Sequence, residues 1–477
     1  MKLPRKGSCF CFHVANRSHV PFPPDIGVMS GAVIFIKDDL KISDTQIEVL
    51  VGILNLYSLV GSAVAGKTSD WIGRRLTIVF AAVIFFVGAL LMGFATNYAF
   101  LMVGRFVAGI GVGYALMIAP VYTAEVSPAS SRGFLTSFTE LFINAGILLG
   151  YVSNYAFSGL PENINWRLML GVGAIPSVFL AVGVLAMPES PRWLVMQGRL
   201  GDARRVLIKV SESNEEAESR LADIKAAAGI PQSCTEDVVP QLLITPTPTL
   251  RRILIAGLAI HFFQQSSGID SVVLYSPRPA WRNCRVGFTK TAFILVATFF
   301  LDRVGRRPLL LSSTGGMIAS LLMLGFGLTV VDRHPDMKLE WAIAICIASI
   351  LAYVSFFSIG LGPITWVYSS EIFPLRLRAQ GVSMAVALNR ITSGVLTMTF
   401  ISLYKAITIG GAFFLYAGIA TVAWIFFYTF LPETRGKALE EVETLFIKSK
   451  DKNATEGHKE ESAGQAQIQL AAGNGAA

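Results

Sequence analysis

The sequence DWIGRR at residues 70–75 returns as DRVGRR at residues 302–307. Two further motifs repeat in the same order, namely AEVSPASSRG (124–133) with SEIFPLRLRAQG (370–381) and PESPR (188–192) with PETRG (432–436). The copies are 232, 246 and 244 residues apart, so the two halves stay in register apart from one change of length. Parallel repeats of this kind predict two related helical bundles within one chain.

The composition indicates that these bundles lie in a membrane. Of the 477 residues, 53% are hydrophobic and 15% are charged, whereas soluble domains carry about 25% charged residues. Ten apolar segments, such as residues 76–95 and 168–187, reach the roughly 20 residues that cross a hydrocarbon core. Residues 26–36 and 286–301 fall short of that length. We therefore expect an all-α membrane protein with two six-helix bundles, in which spans 1 and 8 are truncated.

The distribution of charge and cysteine sets the expected organisation. The net charge of +8 lies in short basic clusters between spans, without the aromatic alternation of a nucleic-acid surface. If the spans alternate, these clusters share one side, which the positive-inside rule assigns to the cytosol, together with both termini. The five cysteines show no paired spacing, so no disulfide framework, metal site or cofactor is expected. The expected divisions are an atypical N-terminal segment (1–24), a first bundle (25–187), a charged helical linker (188–250), a second bundle (251–447) and a disordered cytosolic tail (448–477).

Acidic and basic residues recur inside the repeated motifs with the same sign and spacing. Each GRR motif follows an aspartate, and each second motif pairs a glutamate with an arginine seven residues later. Such matched pairs favour an ion-pair gate at the cytosolic ends of the spans, with static anchoring of the topology as the alternative. The candidate gate residues are Asp70, Arg74, Arg75, Glu125, Arg132, Asp302, Arg306, Arg307, Glu371 and Arg378.

Six markers occur in order along both halves: GKTSDWIGRR, PVYTAEVSPASSRG, PESPRW, HFFQQSSGID, GPITWVYSSEIFP and PETRG. With them the chain resembles the sugar porter family of the major facilitator superfamily. The stretches SFTELFINAGILLGYVSN and QQSSGIDSVVLYSPR are most similar to plant polyol and monosaccharide transporters. The resemblance implies the major facilitator fold and proton symport of polyols and monosaccharides by alternating access. It also implies a plasma-membrane location, with the tonoplast as the alternative.

The resemblance also implies a central substrate site. Amides and carboxylates suit the hydroxyls of a sugar alcohol because they can match both donors and acceptors, and an aromatic ring can cover its C–H face. Three positions depart from the pattern of hexose transporters. Asp270 stands where asparagine is usual, Glu140 where glutamine is usual, and Arg390 where many members have an aromatic residue. They predict a polyol-type pocket with broad tolerance, and a structural salt bridge in a hexose transporter is the alternative. The expected substrate residues are Glu140, Gln264, Gln265, Asp270, Trp366, Asn389 and Arg390.

Proton coupling is assigned to Asp25 and Arg105, which match the acid of the family's first span and the basic residue that can pair with it. A buried carboxylate tuned by a cation can be loaded with a proton on one side and emptied on the other. The alternative is that Asp25 only caps the helix that follows it. The preceding HVPFPP cannot continue a helix, so we expect Asp25 at the first turn of a shortened span.

Other functions stay open at this point. A non-transporting sugar sensor, a defective truncated product and an uncoupled facilitator are each compatible with two shortened spans. An enzyme is not expected, because the sequence contains no HExxH motif, nucleophile elbow or P-loop. The expected partners are the substrate, a proton and the lipid bilayer, for a monomer that binds no nucleic acid.

Overall fold

The computed structural model describes residues 25–128, 132–211, 213–228, 247–269, 280–334, 340–437, 439 and 441–446. Regular secondary structure in these residues is helical throughout. The first half contains α1 (Asp25–Leu40), α2 (Asp44–Ile72), α3 (Arg74–Gly93), α4 (Tyr98–Val126), α5 (Arg132–Phe157), α6 (Glu162–Val172) and α7 (Ala174–Leu185). Helices α6 and α7 form one crossing that is interrupted at Gly173.

Three short helices follow, and then the second half. The linker helices are α8 (Pro191–Met196), α9 (Leu200–Val210) and α10 (Asn214–Ala228). The second half contains α11 (Pro248–Ser266), α12 (Ala280–Val304), α13 (Arg306–Arg333), α14 (Glu340–Ile359), α15 (Leu361–Ile372), α16 (Arg378–Ile407), α17 (Ile409–Phe430) and a 3-10 turn (Val442–Phe446). Helices α14 and α15 form one crossing that is interrupted at Gly360.

Eight of the crossings in the described ranges are long and apolar enough to span a membrane by themselves. Helices α1, α11, α12 and α16 occupy the four remaining places, so six helical crossings precede the linker and six follow it. The two-bundle architecture expected from the repeat is confirmed.

The eighth crossing is longer than expected. The apolar run at residues 286–301 predicts a short span, whereas α12 has 25 residues and is therefore about 37 Å long at about 1.5 Å per residue. The difference arises because the helix begins in the polar sequence AWRNCR, which a count of apolar residues leaves out. Helix α1, in contrast, has 16 residues in the described chain, or about 24 Å.

The two bundles meet through repeat-related helices. Helix α2 packs against α16, and α5 packs against α12. Since α2 and α12 are repeat copies, as are α5 and α16, the two contacts are related by the internal symmetry. Glycines bring helices close inside the first bundle, where a Cβ added at Gly113 in α4 would collide with the carbonyl oxygen of Ser58 in α2. This arrangement leaves polar side chains of both bundles facing each other along the central axis.

Candidate functional site

A buried ion-pair network lies where α2, α3 and α4 of the first bundle end or begin. The Nε atom of Arg74 lies 3.0 Å from Oε2 of Glu125, and its Nη1 atom lies 3.0 Å from Oδ1 of Asp70. Ser190 donates its hydroxyl to Glu125 Oε2 at 2.6 Å. Arg74 and Glu125 are fully buried, so each charge is neutralised by its neighbour rather than by water.

The second bundle repeats this network. Arg306 lies 3.0 Å from Glu371 Oε1 and 3.0 Å from Asp302 Oδ1. Thr434 donates its hydroxyl to Glu371 Oε2 at 2.7 Å, in the place that Ser190 takes in the first bundle. The charged residues of the repeated motifs therefore come together in space as well as in sequence.

Two further carboxylates belong to these networks, and sequence reasoning missed them. Glu189 accepts the backbone N–H of Arg74 at 2.9 Å and that of Arg75 at 3.2 Å. Glu433 accepts the backbone N–H groups of Arg306 and Arg307 at 3.0 and 2.9 Å. Burial raises the pKa of Glu189 despite the hydrogen bonds from the backbone N–H groups of Ser190 and Arg75. The signal was present in the repeated Pro-Glu of PESPR and PETRG.

The two networks are joined across the bundles. Arg378 of α16 lies 4.0 Å from Glu125, and the carboxylate of Asp302 accepts the backbone N–H of Phe134 in α5 at 2.7 Å. Further cross-bundle bonds run from Arg132 Nη1 to the carbonyl of Lys437 at 3.1 Å and from Gln380 Nε2 to Asp70 Oδ2 at 3.4 Å.

Arg75 and Arg307 lie at the edge of this layer. Arg75 donates to the carbonyl of Leu185 at the end of α7. Arg307 donates to the carbonyl of Tyr428 at 2.6 Å and lies over that residue's ring. Through these carbonyl contacts both arginines tie the last helix of their own bundle to the layer.

A second polar cluster lies where the last turn of α11 meets α16. Asn389 donates to Gln264 Oε1 at 2.8 Å and accepts from Gln265 Nε2 at 3.1 Å. Gln264 also donates to the carbonyl of Gly362 in α15 at 3.1 Å. Asn389 is fully buried and both glutamines are nearly so. Three of the expected substrate residues thus form one hydrogen-bonded group.

Arg390 links this cluster to the first bundle. Its Nε atom donates to Asn389 Oδ1 at 3.0 Å, and its Nη1 atom donates to Asn55 Oδ1 of α2 at 3.3 Å. The side chain is buried. Asn55 had no distinctive sequence signal, because its importance depends on the approach of α2 to α16.

Trp366 and Glu140 form a second cross-bundle contact at the centre. The indole Nε1 of Trp366 in α15 donates to Glu140 Oε2 in α5 at 3.0 Å. Asn144 donates to Oε1 of the same carboxylate at 3.0 Å, and the ring of His261 meets the Trp366 ring edge to face at 5.2 Å. The carboxylate of Glu140 is therefore held by an indole and an amide, while Arg390 bonds to amide oxygens.

The two residues expected to couple the proton are only partly described. Arg105 is buried in α4, and its Nε and Nη2 atoms donate to the carbonyl of Leu50 in α2 at 3.1 and 2.8 Å. Asp25 begins helix α1, but its side chain lies outside the described atoms. Asp270 also lies outside the described residues.

Comparison with known proteins identifies the family. Residues 10–446 match the family described as "Sugar (and other) transporter". Polyol transporter 5 of Arabidopsis thaliana is 63% identical over 461 residues, which cover 91% of this chain and 85% of that protein. The glucose transporter GlcP of Staphylococcus epidermidis is 34% identical over 430 residues, covering 88% of this chain and 93% of that protein.

Solved structures agree in fold. The proton:xylose symporter XylE bound to 6-bromo-6-deoxy-D-glucose superposes with a TM-score of 0.81 at 25% identity, covering 92% of this chain and 100% of that one. The inward open conformation of XylE from E. coli gives a TM-score of 0.69 at 27% identity, covering 91% and 98%. With the major facilitator architecture and a family match that spans most of its length, the chain belongs to the sugar transporter family of integral membrane proteins.

Proposed function

We propose that this chain is a proton-coupled symporter of polyols and monosaccharides that works by alternating access. The observation that carries the proposal is the central cluster of Gln264, Gln265 and Asn389, with Trp366 beside it, buried between two bundles. Amide groups both donate and accept hydrogen bonds, as hydroxyl groups do. A polyhydroxylated molecule can therefore replace the bonds that these side chains make with each other. The similar Arabidopsis protein is named a polyol transporter, and XylE is described as a proton:xylose symporter.

Alternating access is supported by the charged layer at the repeated motifs. Its ion pairs within each bundle and its bonds between bundles hold one end of the molecule closed, as the contact of Arg378 with Glu125 illustrates. The closer superposition on sugar-bound XylE than on its inward open form agrees with a closed cytosolic end. Opening that end requires the cross-bundle bonds to break while the pairs inside each bundle persist.

Proton coupling is proposed for Asp25 together with Arg105. A guanidinium buried in a membrane span requires compensation, and Arg105 is 1% exposed. Protonation of Asp25 would remove the negative charge of such a pair and free Arg105 for other contacts. The helix that begins at Asp25 packs against α5, which carries Glu140, so the proton site and the substrate site share a neighbouring helix.

The remaining assignments follow from this proposal. The two bundles comprise residues 25–187 and 251–447. The linker (188–250), the N-terminus and the C-terminal tail (448–477) lie in the cytosol. The protein is a plasma-membrane monomer surrounded by lipid and performs transport rather than an enzymatic reaction. The basic residues of the linker and of the loops beside it support this orientation.

The proposal is tested with purified protein in proteoliposomes. Under an inwardly directed proton gradient, we expect radiolabelled sorbitol, xylitol or glucose to rise inside above its equilibrium level. A protonophore should abolish the accumulation, and Asn389→Leu, which removes the shared amide of the centre, should abolish uptake. Absence of any uptake by correctly inserted protein contradicts transport. Uptake that reaches equilibrium but ignores the gradient indicates an uncoupled facilitator.

A further inference from the structure

His261 lies in α11, one helical turn before the two glutamines of the central cluster. Its side chain is 0% exposed, and its ring meets that of Trp366 edge to face at 5.2 Å. The carbonyl oxygen of His261 accepts the amide N–H of Asn389 at 3.2 Å. His261 therefore lies directly beside two of the proposed substrate residues, Trp366 and Asn389.

Both ring nitrogens of His261 lack a hydrogen-bond partner within the described part of the chain. A buried nitrogen without a partner lowers the stability of the folded state, whereas the hydrocarbon ring of phenylalanine, which has a similar shape, carries no such cost. Packing alone therefore favours phenylalanine over histidine here, so the imidazole calls for another explanation.

The neighbouring polar groups differ from His261 in this respect. Gln264, Gln265 and Asn389 bond to each other, and Glu140 bonds to Trp366. A neutral imidazole carries one donor and one acceptor, which is the same pair of functions that a hydroxyl group offers. The ring nitrogens and a substrate hydroxyl are thus chemically matched.

We propose that His261 is a substrate-recognition residue whose imidazole hydrogen-bonds to one hydroxyl of the polyol or monosaccharide when the substrate opens the central cluster. The inference rests on the proposed function and extends it by a named residue. Under this proposal, the part of α11 beside Trp366 selects substrates by the position of one hydroxyl group. Discrimination of this kind depends on a buried polar group that is left unpaired when the substrate lacks the matching hydroxyl.

The test uses the full chain in nanodiscs, with His261→Phe to remove both nitrogens and His261→Asn to retain a donor and an acceptor. Binding of D-sorbitol, D-glucose and the mono-deoxy derivatives of each is measured by calorimetry, and the melting temperature is measured without ligand. We expect one deoxy derivative to bind the wild type about 5- to 10-fold more weakly than its parent, the range of one hydrogen bond. In His261→Phe that ratio should fall to about one, and His261→Asn should restore part of it.

The melting temperature separates recognition from a structural role. Because His261→Phe removes two buried nitrogens that have no partner among the described residues, we expect the ligand-free variant to melt at the same temperature as the wild type or higher. A lower melting temperature together with unchanged deoxy ratios would show a structural role and overturn the inference. If the wild type binds the polyols and glucose but every deoxy ratio is the same in all three proteins, the inference alone fails. If the wild type binds none of these molecules, the proposed function fails with it.

Discussion

Arg378 of the second bundle reaches Glu125 of the first, with 4.0 Å between Nη1 and Oε1. The equivalent glutamate, Glu371, bonds to Arg306 and Thr434 of its own bundle. Glu125 therefore takes part both in an ion pair with Arg74 inside its own bundle and in a contact with Arg378 across the bundles. This one carboxylate links the network of the first bundle to α16 of the second.

The double role of Glu125 allows a matched comparison of two variants. Glu125→Gln weakens the contact with Arg378 as well as the pair with Arg74, whereas Ser190→Ala removes a hydrogen bond to the same carboxylate inside the first bundle only. We expect Glu125→Gln to favour the cytosol-open state by about 1 kcal/mol more, the size of a modest coupling between charged groups. Cysteines placed beside the central cluster report the change through their labelling rate from the cytosolic side. Equal labelling rates in the two variants would show that the contact between Arg378 and Glu125 does not help to close the cytosolic end.

A second prediction concerns the bond from Arg390 to Asn55. Asn55→Asp replaces the amide with a carboxylate, so a hydrogen bond between bundles becomes an ion pair inside the membrane. We expect slower turnover, by about fivefold, because direct contacts of this kind couple by about 1 kcal/mol. In an Arg390→Gln background the same change should have no added effect on turnover. Additive losses in the double variant would show that the two residues do not act together.

The bond between Trp366 and Glu140 gives a third prediction. Glu140→Leu leaves the buried indole N–H without its acceptor, at a cost of about 1–3 kcal/mol. We expect about tenfold weaker substrate binding, whereas Glu140→Gln, which keeps an acceptor oxygen, should lose little. Binding titrations followed by tryptophan fluorescence measure both. A large loss in the glutamine variant would instead show that the negative charge itself is required.

Two carboxylates of the linker, Glu189 and Asp202, give opposite responses to pH. Burial raises the pKa of Glu189 above its ordinary value of 4.5. The folded state therefore binds that proton more tightly, and the resulting stability is lost as pH rises from 4.5 through the raised pKa. Hydrogen bonding to Arg199 lowers the pKa of the exposed Asp202 below 3.8, so its contribution is lost as pH falls below that value.

We expect Glu189→Gln to reduce the decline of the melting temperature above pH 4.5. Asp202→Asn serves as the control and should change the profile only near and below pH 3.8. Differential scanning fluorimetry between about pH 2.5 and 7 measures both profiles. The same change of profile in the two variants would contradict the opposite pKa shifts.

Much of this architecture could be predicted because it depends on local sequence. The repeated motifs indicated two bundles, and their matched charges indicated the ion pairs that Arg74 and Arg306 form. The length of α12 could not be predicted from hydropathy, because the helix continues through polar residues at its first turns. The contact of Asn55 with Arg390 was equally hidden, since it joins residues 335 positions apart.

Other residues were within reach of the sequence but carried weak signals. Glu189 and Glu433 stand in repeated motifs, yet their role as acceptors of backbone N–H groups depends on the turns that lead into α3 and α13. His261 precedes the glutamine pair by one turn, but the lack of a partner for its nitrogens among the described residues depends on how the helices pack. The expected pairing of Asp25 with Arg105 stays a prediction.

That pairing gives the most direct test of proton-coupled transport. Proteoliposomes containing the wild type or Asp25→Asn receive sorbitol with and without an inwardly directed proton gradient, at matched protein density. We expect the wild type to concentrate sorbitol only when the gradient is present, and Asp25→Asn to equilibrate it without concentration. Identical time courses for the two proteins, or accumulation by neither, would contradict proton coupling through Asp25.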